Sequence, residues 1–153
     1  MTAEQSLQTL GIELPPVPVP VANYVGAVSA GNFLFLAGHI PLVSGKVAFT
    51  GKVGTSVNLE DARQAARITG LNLLATARQQ LGSLDKVKKV VKVIGMVNAA
   101  PGFVDLPRVM NGFSDLMVDV FGPEIGRHAR SAVGVSELPL NASVEIEMIL
   151  EVS

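Results

Sequence analysis

Residues 143–152 read Ser143-Val144-Glu145-Ile146-Glu147-Met148-Ile149-Leu150-Glu151-Val152. Val144, Ile146, Met148 and Leu150 alternate with Glu145, Glu147, Ile149 and Glu151. A two-residue period puts the first set on one face of a strand and the second on the other. One face therefore packs on a core, while the other meets water or a second subunit. Upstream, Arg130–Glu137 also reads as a strand, and Leu138-Pro139-Leu140-Asn141 joins the two. The pair predicts a terminal hairpin.

Working toward the N-terminus, Val87–Asn98 is a long strand rich in Val and Ile. Two segments read as helices. In the first, Asn58 can cap with Asp61 in the place of a capping-box acid, and Ala62, Ala65, Ala66, Thr69, Leu73, Ala77 and Leu81 recur every three or four residues. Gly82 ends it, since glycine tolerates the positive φ of a helix C-terminus. Gly70 inside costs about 1 kcal/mol relative to Ala, which close helix–sheet packing would compensate. In the second, Asp105 can cap Leu106–Phe121, and Gly122-Pro123 stops it. Nearer the start, Tyr24–Ala30 and Asn32–Gly38 flank Gly31-Asn32, a hairpin signal. Residues 39–57 read as loop with one short strand at Lys46–Phe49. Pro15–Pro20 is extended and cannot be a central strand, because proline lacks the N–H.

The order β-β-(β)-α-β-α-β-β predicts an α+β fold: a mixed sheet of about six strands with two helices packed on one face. Two helices cannot cover both faces of such a sheet. One domain over residues 1–153 is expected, with 1–21 as a Pro-rich lead-in. Hydrophobic residues are 48% of the 153-residue chain and charged ones 16%, a balance that excludes disorder and points to burial against another subunit. Twelve basic and thirteen acidic residues leave a net charge of −1, so no global field draws the protein to nucleic acid or an anionic membrane. The absence of Cys removes disulfides and thiolate chemistry, and two His alone make a poor metal site. No signal-peptide layout and no apolar run near the roughly 20 residues of a membrane span are present. A cytoplasmic protein is the expectation.

The densest polar cluster is Arg127-His128-Ala129-Arg130-Ser131. Arg130 offers a planar fork for a carboxylate, and Glu145 on the partner strand of the hairpin can orient or deprotonate a water. Two adjacent strands would hold both within reach of one small molecule. The alternative is a cross-strand ion pair. His128 reads either as an acid/base group or as a hydrogen-bonded surface residue. His39, after the first hairpin, reads as pocket-lining or structural, and Tyr24 as cleft-lining or packed against the prolines. The basic run Lys86–Lys92 lacks interleaved aromatics, and six Phe with one Tyr make few stacking platforms for RNA. No dinucleotide fingerprint, phosphate loop, nucleophile elbow or zinc motif occurs, which disfavours nucleotide cofactors.

The stretch Arg130-Ser131-Ala132-Val133-Gly134-Val135-Ser136-Glu137-Leu138-Pro139, followed by Val144-Glu145-Ile146-Glu147, resembles the C-terminal signature of the YjgF-type reactive intermediate deaminases, the Rid family. Tyr24, Gly31-Asn32, Phe33–Ala37 and Gly38-His39-Ile40-Pro41 resemble the family's N-terminal hairpin, and Asn111 matches a family Asn. The resemblance implies a chorismate-mutase-like fold, a homotrimer with three inter-subunit clefts, and no cofactor. It also implies hydrolysis of 2-imino or enamino acids such as 2-aminoacrylate to 2-oxo acids and ammonia. By carry-over, Arg130 would bind the substrate carboxylate and Glu145 would activate water. Tyr24, Gly38, His39, Asn111 and the backbone around Ala132 would line the cleft. The sequence departs from the family pattern at Ala37, His39, Ser114 and Ala132, where Ser, Gln, Tyr and Cys respectively are frequent. Its lead-in is longer, as is the Asn111-to-Arg130 spacing, which marks a divergent branch. A trimeric sensor that binds a small carboxylate without turnover is the alternative function; an endoribonuclease is disfavoured by charge and aromatic content.

Overall fold

The computed structural model describes residues 1–153. From the N-terminus the chain forms α1 (Ala3–Leu10), β1 (Ala27–Ala30), β2 (Phe33–His39), β3 (Leu42–Val43), β4 (Lys46–Val47) and α2 (Leu59–Leu81). It continues as β5 (Val87–Asn98), α3 (Leu106–Gly126), β6 (Ala129–Val135) and β7 (Val144–Val152). The main sheet has five strands in the order β1-β2-β7-β5-β6, and β3 pairs with β4 in a small separate ribbon. Only β5 and β6 run parallel. The α+β architecture with helices on one face is as the strand and helix pattern predicts.

Apolar content decides which strand lies where. β5, apolar on both faces over most of its length, sits between β7 and β6. The terminal hairpin is therefore not formed: β6 and β7 flank β5 rather than pairing with each other. β6 carries Ser131 and Gly134 and is mostly accessible, so it takes an edge where one face and one side remain wet.

On the covered face, Leu34, Leu36, Val90, Val93, Val97, Val144, Ile146, Met148 and Leu150 are buried. α2 lies against β2 and β7, and α3 against β5. Asn58 caps α2 by accepting the Asp61 N–H at 2.8 Å, and Gly82 closes it at φ +84°. Gly70 is compensated differently from the helix–sheet expectation. A Cβ there would lie 2.8 Å from Leu116 and 3.0 Å from Phe113, both on α3, so the close contact is helix on helix. Asp105 makes no side-chain cap bond to α3. Gly122 breaks α3 with φ +77°, but Pro123 opens one more turn to Gly126 instead of ending the helix.

The lead-in begins with a helix the apolar pattern did not signal. Thr2 and Gln5 form a capping box, and Gly11 closes α1 at φ +66°. Eight residues are too few for a stable isolated helix. Tertiary contacts hold it: Glu4 accepts from the Leu84 N–H at 2.9 Å and meets Arg78 at 3.4 Å, while Leu7 is buried. No helix is long and apolar enough to cross a membrane.

The second sheet face is left open. Val28, Phe35 and Val133 stand 53%, 44% and 42% exposed on it. A hollow of about 300 Å³ there is lined by Val28, Phe35, Ala37, Lys92, Ile94 and Glu147.

Candidate functional site

Arg130 projects to the covered face. Its register partner on β5 is the buried Val93, and its guanidinium reaches α3. Nη1 donates to Asn111 Oδ1 at 3.0 Å and to Ser114 Oγ at 3.1 Å. Asn111 and Ser114 are three residues apart, hence on one side of α3. Ala132, two residues along β6, shares the Arg130 face and packs at the margin of the core. Nη1 has two hydrogens and both find acceptors, so the other three N–H groups, on Nε and Nη2, remain to grip a carboxylate side-on.

Glu145 projects to the open face. It alternates with the buried Val144 and Ile146 and pairs with Met96. Beside it β2 carries a bulge: Leu36 pairs with Met148 and His39 with Ile146, so Ala37 and Gly38 together oppose Glu147. A Cβ on Gly38 would lie 2.9 Å from Glu145 Oε2, so only glycine leaves the carboxylate its position there. Partial burial raises the Glu145 pKa above the ordinary carboxylate value, and the neighbouring Glu147 charge raises it further.

Arg130 and Glu145 therefore do not meet within one chain. β5 separates their strands, and their side chains leave opposite faces of the sheet. The expectation of neighbouring strands sharing one small molecule fails for a single protomer, and so does a direct cross-strand ion pair. What the structure holds is two candidate half-sites. One joins Arg130, Asn111 and Ala132, with Ser114 and His128 added; the other joins Glu145 and Gly38.

Gly38 also borders a cleft of about 480 Å³ that Tyr24, His39, Ile40 and the Pro15–Val21 segment line. Tyr24 is half exposed there. The His39 ring turns inward instead. Nδ1 lies 2.7 Å from the Ala37 carbonyl and Nε2 2.8 Å from Thr76 Oγ1. A carbonyl only accepts, so Nδ1 carries a proton, and in the neutral ring Nε2 accepts from the Thr76 hydroxyl, which also lies 3.3 Å from the Asn72 carbonyl. Burial lowers the His39 pKa and favours this neutral form. Asn72 donates to the Ile40 and Leu42 carbonyls and pins the segment after β2.

Residue-by-residue reading missed the partnership of Ser114 and His128 with Arg130. The signal available was the three-residue step from Asn111 to Ser114, which stacks two acceptors on one helix face. No group of three or more His, Asp or Glu side chains is placed to hold a metal ion.

The family model described as "YjgF/chorismate_mutase-like, putative endoribonuclease" matches residues 4–152. This chain belongs to the YjgF/Rid family. It is 42% identical over 148 residues to Protein TCP17 of Trypanosoma cruzi, covering 97% of this chain and 92% of that protein. It is 34% identical over 139 residues to the 2-iminobutanoate/2-iminopropanoate deaminase of Dermatophagoides farinae, covering 91% and 93%. The crystal structure of the protein Atu1372 from Agrobacterium tumefaciens superposes with a TM-score of 0.91 at 43% identity, covering 99% of this chain and 92% of that one. The family match thus takes in nearly all of α1 and the whole proline segment.

Proposed function

We propose that this YjgF/Rid protein hydrolyses reactive 2-imino acids to 2-oxo acids and ammonia. It would do so in a homotrimer in which the Arg130 half-site of one copy faces Glu145 of the partner subunit. The carrying observation is the Arg130 guanidinium, held by Asn111 and Ser114 on one nitrogen with its other edge free. The deaminase name of the Dermatophagoides relative supports the same reading. The apolar open sheet face gives a second copy a surface to cover.

The chemistry needs little from the protein. An imine carbon is already electrophilic, so anchoring the carboxylate and positioning water lowers the barrier. Glu145, ionised, accepts a proton from water while the water oxygen bonds to the imine carbon. The nitrogen takes up protons and leaves as ammonia, and the carbon becomes the ketone of the 2-oxo acid. One water is consumed and no electrons are transferred, so no redox partner is required.

The test is release of ammonia and 2-oxo acid when 2-aminoacrylate is generated in situ. Arg130→Ala is expected to lower kcat/KM on the order of a hundredfold, since it removes a charged bidentate anchor. An unchanged rate overturns the assignment. Pyruvate binding that Arg130→Ala abolishes, with no imine turned over, would replace it with the sensor reading.

A further inference from the structure

Arg130 is the end of a longer chain of hydrogen bonds. His128 Nδ1 lies 2.6 Å from the Gly126 carbonyl, and its Nε2 lies 2.9 Å from Ser114 Oγ. The carbonyl can only accept, so Nδ1 bears a hydrogen, and in the neutral ring that burial favours Nε2 is then a bare acceptor. The Ser114 hydroxyl must then donate to Nε2. That turns its oxygen lone pairs toward Arg130 Nη1, which donates to it at 3.1 Å. With the ring neutral the order runs Arg130 N–H to Ser114, Ser114 O–H to His128, His128 N–H to the Gly126 carbonyl.

The ring itself is clamped. Phe113 meets it edge-on with centroids 5.9 Å apart, and Gly126 sits in the turn that follows the Gly122 break in α3. That extra turn gives the relay its last acceptor.

We propose that His128 and Ser114 are positioning residues for the carboxylate anchor: the neutral His128 ring fixes the Ser114 hydroxyl, which fixes the guanidinium so that its Nε–Nη2 edge faces the ligand. The inference deepens the deaminase reading and rests on it for the identity of the ligand. The relay itself is made wholly by this chain's own side chains and backbone. Protonating Nε2 would make it a donor, free the Ser114 hydrogen and set a second positive charge beside Arg130. Burial, Arg130 on β6 and Lys89 on β5 all lower the His128 pKa, while the Gly126 carbonyl raises it. α3 contributes Phe113, Ser114 and that carbonyl to the ring's surroundings, and no carboxylate is among the charges acting on it. The relay is therefore intact at neutral pH and reorganises only below the ordinary histidine range.

Two measurements on the full-length protein test this. In side-chain nitrogen NMR without ligand, His128 should show a protonated Nδ1 and a bare Nε2. The Arg130 Nε signal should shift with the same acid inflection as His128. That coupling should vanish in Ser114→Ala and in His128→Gln, whose amide oxygen accepts from Ser114 without titrating. An Arg130 signal indifferent to His128 titration, or a coupling that survives Ser114→Ala, overturns the proposal. In imine turnover, His128→Phe should raise KM roughly tenfold with kcat little changed, as expected when uniform binding is lost. His128→Gln should restore KM at neutral pH and abolish its acid inflection. A His128→Phe enzyme with wild-type KM and pH profile also overturns it. If the NMR coupling is present but no imine reacts and no 2-oxo acid binds, the deaminase reading fails while the relay stands.

Discussion

Glu145 carries opposing demands at one residue. Its carboxylate must ionise to draw a proton from water, yet partial burial and Glu147 both favour the protonated form. A folded-state pKa above the unfolded one means the folded protein binds more protons between those two values. The stability linked to that proton is present below the unfolded pKa and is lost as pH rises through the raised one. Glu145→Gln should therefore abolish turnover while leaving Tm at neutral pH equal to or above that of the wild type. The difference should close as pH falls from the raised Glu145 pKa to the ordinary carboxylate value. Thermal melts across pH beside an ammonia assay check both halves; a Tm lowered at neutral pH would show the carboxylate to be structural. Arg130 and Glu145 were legible as candidates from the polar cluster at residues 127–131 and from their places on the two C-terminal strands, while Asn111 came from the family resemblance. That Arg130 leans on Ser114 was not, since the contact spans sixteen residues and depends on where α3 lies.

At the scale of elements, the α2–α3 contact sets where Asn111 and Ser114 stand. Gly112 makes that approach possible: a Cβ would lie 2.1 Å from the Arg63 carbonyl oxygen, a backbone atom with no rotamer to yield. Gly112→Ala should push the helices apart and destabilise on the order of 3 kcal/mol, as strongly overpacked sites do. Chemical denaturation measures this. A loss under about 0.5 kcal/mol, the range of ordinary surface changes, would mean that the helices separate freely. The period of α2, the Asn58 cap and the Gly31 turn were readable because each is fixed by neighbours in sequence. α1 was not, since eight residues form a helix only once Glu4 and Leu7 find Leu84, Arg78 and the core. The pairing of β6 with β5 was also hidden. A short connection suggests a hairpin, but a central strand apolar on both faces draws partners to both of its edges.

For the whole molecule, the proposed homotrimer rests on the open sheet face and the two separated half-sites. Sedimentation is expected to give three times the 16.0 kDa chain mass. Phe35→Glu costs a lone chain little, because Phe35 is 44% exposed there. Placed in a buried interface, the charge should drive dissociation and remove turnover together. Three chain masses retained by that variant would place the interface elsewhere. The sequence by itself determined the α+β class, the core faces of α2 and β7 and the residue types able to do chemistry, because periodicity and side-chain type are local quantities. Tertiary structure alone decided which strand lies between which, and therefore the face from which each functional side chain emerges. Strand order is settled by competition among distant apolar surfaces for the centre of one sheet, and no local pattern records who wins.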